Sequence, residues 1–170
     1  MLSKSRATQR MGVLGEGVLV GLIGAALVAA WFLAYDLVHG APLYTPSVLG
    51  STLFGGSGSG PVAVSGTLVV KYTIVHVLAF AVFGVAVAAL FRLADREPAV
   101  LFAAFMLLCC FQVAFIAALK VTAEWALDPI PWWAILTGNG LATVGMLAVL
   151  FPRHRAAWRP WAGRRDPLDA

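Results

Sequence analysis

Four uninterrupted apolar stretches govern what this chain can fold into: about Val13 to Leu37, Leu68 to Leu93, Ala99 to Val121 and Trp133 to Phe151. A helix rising 1.5 Å per residue needs about 20 predominantly apolar residues to cross ~30 Å of hydrocarbon, and each stretch qualifies. The runs are continuous rather than alternating, which excludes the strands of a membrane β-barrel. Of the 170 residues 61% are hydrophobic and only 12% charged; with Gly counted and Tyr left out the apolar share is roughly 69%, against about 45–50% apolar and ~25% charged in soluble domains. A soluble fold of this size has too much surface to hide that apolar mass, and a disordered chain has the opposite composition. The expected fold is all-α: one polytopic membrane domain over 1–170, a bundle of four transmembrane helices.

The positive charges orient it. Lys4, Arg6 and Arg10 precede the first span, Arg92 and Arg96 join the second to the third, and Arg153, Arg155, Arg159, Arg164 and Arg165 lie in the basic tail 152–170. Four crossings place these ten of the twelve Lys and Arg residues on one side, leaving Lys71 and Lys120 on the other. The positive-inside rule then puts both termini in the cytoplasm. The first apolar run is too long for a signal peptide and lacks a small-residue cleavage site before Trp31, so it is expected to be retained. The net charge of +4 calls for anionic head groups rather than nucleic acid. Trp158 and Trp161 are expected to lay the tail along the membrane surface.

Between the first two spans, an extracytoplasmic loop is expected to carry a short interfacial helix started by Thr45-Pro46, with Thr as cap and Pro at the first helical position. Gly55 to Pro61 reads as a flexible linker.

Lipid is as apolar as Leu, so helices in it associate by close packing and a few polar contacts. Gly17, Gly21, Ala25 and Ala29 repeat every four residues along the first span, while Gly84 with Ala88 and Gly138 with Ala142 offer small faces on two others. These stripes are expected to pack within the chain, with a homo-oligomer seam as the alternative.

Ionisable groups inside a span are expensive and therefore functional candidates. Asp36, Lys71, Tyr72, His76, Lys120, Glu124 and Asn139 all fall in the outer half of the bilayer, whereas the inner half offers little beyond Glu16. The candidate polar cluster is Asp36, Tyr72, His76, Glu124 and Asn139, with His76 and Asn139 the deepest. Its role is either to join helices by hydrogen bonds or to handle protons, ions or a ligand, since a buried imidazole can change charge near neutral pH. Asp36 and His39 share a helix face, but with Glu124 or Asp128 they fall short of a full ligand set, and no metal is expected. Met106, Cys109 and Cys110 lack a copper motif, a single intramembrane His cannot ligate haem from both sides, and no cofactor is expected. No H-E-x-x-H, G-x-S-x-G or phosphate loop occurs, so the chain is read as non-enzymatic.

Trp31 to Asp36 followed by Gly40-Ala41-Pro42-Leu43-Tyr44-Thr45-Pro46-Ser47-Val48-Leu49-Gly50, with His76 and Gly138-Asn139 further on, resembles a pattern of uncharacterised bacterial four-helix membrane proteins. The resemblance implies a bacterial inner-membrane location and no activity. The expectation is a structural, accessory or interaction protein whose partners are the bilayer and a membrane protein or second copy. The alternative is a small transporter or proton- or ion-handling subunit.

Overall fold

The computed structural model describes residues 12–54, 63–97, 99–103, 105, 106, 109, 110, 113, 117 and 130–154. The helices are α1 (Val13–Val38), α2 (Tyr44–Phe54), α3 (Gly66–Ala94) and α4 (Trp132–Arg153). Residues 99–103, 105, 106, 109, 110, 113 and 117 are helical too, although the span expected from Ala99 to Val121 falls largely outside the described residues. Among those residues no strand occurs. Among the described residues three helices, α1, α3 and α4, are long and apolar enough to cross a membrane, and their outward faces stay apolar, with Val82 72% and Val144 66% exposed.

Helix α1 is the centre of the assembly. Its glycines let α3 approach backbone to backbone: a Cβ on Gly17 would strike the backbone of Val85, one on Gly21 that of Phe80 and Ala81, and one on Gly84 the backbone of Gly17 and Gly21. The pairing of ascending with descending residue numbers makes the two helices antiparallel. On another face α1 meets α4, where Gly24 lies against Met146, Gly145 against Leu27 and Gly138 against Trp31. The Trp31 indole N–H donates to the Ala134 carbonyl at 2.9 Å. Helix α4 is therefore also antiparallel to α1. The two flanking helices converge at the α1 N-terminus, where Val20, Val87, Ala88, Phe91, Met146 and Leu150 form a buried cluster.

At its other end α1 closes in a Schellman turn. Gly40, at φ +72°, supplies the left-handed residue, its N–H reaching Leu37 O at 3.1 Å while Ala41 N–H reaches Asp36 O at 3.0 Å. Leu43 follows with a positive φ of 64°, a conformation unfavourable for a branched side chain, and α2 begins at Tyr44. The expected Thr45 cap gives way to a start one residue earlier, at Tyr44, and Thr45 itself donates its N–H and its hydroxyl to Asp36, nine residues back. Helix α2 lies on the first turns of α3, with Gly50 against the Leu68 backbone and the Ser47 hydroxyl accepting the Ser65 N–H at 3.2 Å.

Glycines in contact and glycines in open space should respond oppositely to a methyl group. Gly84→Ala should lower stability by about 1–3 kcal/mol through overpacking. Gly140→Ala, in mid-helix with nothing within 4 Å of the new Cβ, should raise it by ~0.5–1 kcal/mol. Unfolding in mixed micelles checks both.

Candidate functional site

Polar side chains gather at the two ends of α1. At the C-terminal end the Asp36 side chain is buried, 2% exposed. One carboxylate oxygen accepts the Thr45 backbone N–H at 2.9 Å and the other accepts the Thr45 hydroxyl at 2.6 Å. An anion belongs at a helix N-terminus, where unpaired N–H groups and the helix dipole favour negative charge. Asp36 thus ties α1 to α2, and among the described residues it forms no ion pair.

Asp36 and Thr45 form a shared wall between two cavities of about 170 Å³ each. One opens beside Tyr35, His39 and Tyr44, with the Tyr35 and His39 rings stacked at 4.2 Å. The other runs between α1, α2 and α3, past Ala29 and Phe32 to Tyr72 and His76. His76 Nε2 lies 3.2 Å from the Ala25 carbonyl, to which it donates. Its ring stacks on Tyr72 at 5.6 Å. Lys71 sits over the Phe54 ring at 5.7 Å, a cation–π contact between α3 and α2.

The N-terminal end of α1 holds a denser cluster. Glu16, 5% exposed, receives Arg92 of α3 at 3.4 Å and Arg153 of α4 at 3.6 Å. His154, just past α4, donates from Nδ1 to Asp95 at 2.6 Å, and its Nε2 stands 3.5 Å from Glu16. Phe91 faces the same imidazole edge-on at 5.8 Å. Each sign suits its helix end, with the acid in the first turn of α1 and the arginines in the last turns of α3 and α4.

The structure accordingly brings Asp36, Tyr72 and His76 to one cavity. Asn139 is half-buried on α4, its backbone carbonyl accepting the Thr143 hydroxyl at 2.9 Å. Glu124 lies outside the described residues, as do Lys120, Asp128, Trp158 and Trp161. Of the small-residue stripe, Gly17, Gly21, Gly84 and Gly138 lie at helix crossings, Ala25 is buried and supplies the His76 acceptor, and Ala29 lines the cavity. Among the described residues no three metal-binding side chains gather, and Cys109 and Cys110 are exposed.

Sequence reasoning missed the Glu16 cluster. In the sequence Arg92 and Arg153 read as topology signals and His154 carries no expectation, although an acid in the first turn of an apolar helix is a signal that a cation must come to meet it.

Comparison with protein-family models, curated protein sequences and solved structures found no match.

Glu16→Ala should destabilise the bundle by about 1–3 kcal/mol, since it removes the acid that Arg92 and Arg153 both reach, a loss moderated by the partial exposure of the two arginines. Glu16→Gln should cost less than Glu16→Ala because an acceptor remains. Thermal unfolding of the two variants beside the parent in the same micelle gives the comparison.

Proposed function

We propose that this chain is a small integral protein of the bacterial cytoplasmic membrane, crossing it four times with both termini in the cytoplasm. It acts as a non-enzymatic structural or interaction subunit. The fourth crossing is supported by direction. Helices α3 and α4 both run antiparallel to α1, so Asp95 sits at the Glu16 end and Ile130 beside Tyr35 and Asp36 at the other. The intervening chain has to travel the length of the bundle, and its described residues from 99 to 117 are helical.

One observation supports the organising role: among the described residues, three ionisable side chains that would be costly in a membrane have partners inside the chain. Asp36 is held by Thr45, His76 by the Ala25 carbonyl and Glu16 by two arginines. Each contact joins two helices, which is what polar groups contribute where hydrophobic attraction between helices is weak. The second reading, proton or ion handling, draws on the cavity that Asp36, Tyr72 and His76 share.

Two measurements separate these readings. Reporters placed after Ala170 and ahead of Met11 should both face the cytoplasm, and one inserted between Gly55 and Pro61 the opposite side; any other pattern overturns the topology. In liposomes with a pH-sensitive dye, proton flux should equal that of protein-free vesicles. Flux lost in folded His76→Gln protein would favour ion handling instead. His76→Leu should lower stability by ~0.5–2 kcal/mol through the lost bond to Ala25.

A further inference from the structure

We propose that the Asp36 end of the bundle is a binding site for an amphiphile with an ammonium head. The inference concerns occupancy alone and holds whether or not anything is transported.

It begins with charge. Among the described residues the Asp36 carboxylate, 2% exposed, pairs with no cation and has the α2 N-terminus and the Thr45 hydroxyl as its partners. An ionised carboxylate offers about four acceptor positions, and Thr45 occupies two of them. The carboxylate has capacity left for a donor bearing positive charge, which removes the remaining penalty of keeping an anion out of water.

The surroundings select the kind of cation. On the outer side of Asp36, Tyr35, His39 and Tyr44 line a cavity with aromatic walls, the environment that attracts ammonium groups through the ring quadrupole. On the inner side, the second cavity is walled by Phe32, Ala29 and the α3 face at Tyr72 and His76. A hydrated metal ion has no use for such a lining. A hydrocarbon chain does, and a chain lying there places its head beside Asp36. The left-handed Leu43, whose side chain lines this second cavity, lets the short α1–α2 connection bring the N-terminus of α2 over the same carboxylate. The head group and Thr45 therefore share Asp36.

An ammonium head can come from a free alkylamine or from an ethanolamine phospholipid of the outer leaflet; the chemistry at Asp36 is the same. The full chain in uncharged maltoside micelles, free of competing head groups, is titrated calorimetrically with hexylammonium, hexanol and hexanoate, and separately with phosphatidylethanolamine. Saturable binding of hexylammonium is expected, at least tenfold tighter than hexanol, with hexanoate inert. Asp36→Asn should weaken it tenfold or more. Ala29→Phe fills the inner cavity without touching the carboxylate and should weaken hexylammonium to a similar degree, so the proposal stays exposed to failure even where Asp36→Asn does not fold. Displacement of hexylammonium by phosphatidylethanolamine identifies the lipid as the source, and its failure to compete identifies a free amine. Equal binding of hexanol, or unchanged binding in folded Asp36→Asn or Ala29→Phe protein, overturns the site.

Discussion

The contact on which the structure rests is the approach of two backbones where Gly17 and Gly21 of α1 meet Gly84 of α3. In a bilayer no hydrophobic gain accompanies the meeting of two helices, and attraction comes from dispersion at short range. Side chains of ordinary size would hold the axes about 8–10 Å apart; glycine removes that spacer. The crossing lies within two turns of Glu16, which brings the end of α3 near enough for Arg92 to reach the acid. Further along the same register, the Ala25 carbonyl comes level with His76. One steric fact thus sets both the charge pairing at one end and the cavity wall at the other.

Helix α1 is the common partner of the described spans, and its faces divide the work. The glycine face takes α3. The face bearing Gly24, Leu27 and Trp31 takes α4, with bulky side chains of α1 filling the space over Gly138 and Gly145. Small residues play opposite parts in the two interfaces: Gly17 and Gly21 of α1 admit a backbone, whereas Gly138 and Gly145 of α4 admit a Trp or Leu side chain. The indole N–H of Trp31, costly to leave unpaired in hydrocarbon, is satisfied by Ala134 across the second interface.

The spans and small-residue stripes were legible because both are periodic properties of contiguous residues. What a stripe packs against was not, since Gly17 meets Val85 only through an antiparallel register that no local pattern encodes. Asp36 was recognisable as a costly group near a helix end, yet its partner Thr45 was read as the cap itself. The two residues are nine apart, and the Gly40 turn that brings the N-terminus of α2 back to Asp36 had to be known first. The Glu16 cluster was the least readable, because its partners lie 76 positions away in Arg92 and further still in Arg153. Arginines near span ends are so well explained by membrane topology that their second use, neutralising a buried acid, left no separate trace.

The two buried acids of α1 are also separated by the length of a membrane span. Glu16 and Asp36 are twenty residues apart, about 30 Å along a helix and equal to the thickness of the hydrocarbon layer. On α3 the interval from Lys71 to Arg92, and on α4 that from Trp132 to Arg153, is twenty-one residues, so three helices mark out nearly the same slab. The two carboxylates thus lie one hydrocarbon thickness apart, and each is answered by a different device, cations at one end of α1 and a helix N-terminus at the other. Arginines can extend to phosphate and water while holding Glu16, whereas the α2 amide that holds Asp36 is fixed in the fold. The arginine end is for that reason the side built to adjust to its surroundings, and the Asp36 end the side built to hold a shape. A preformed shape around an anion with acceptor capacity to spare is the property on which recognition of a ligand depends.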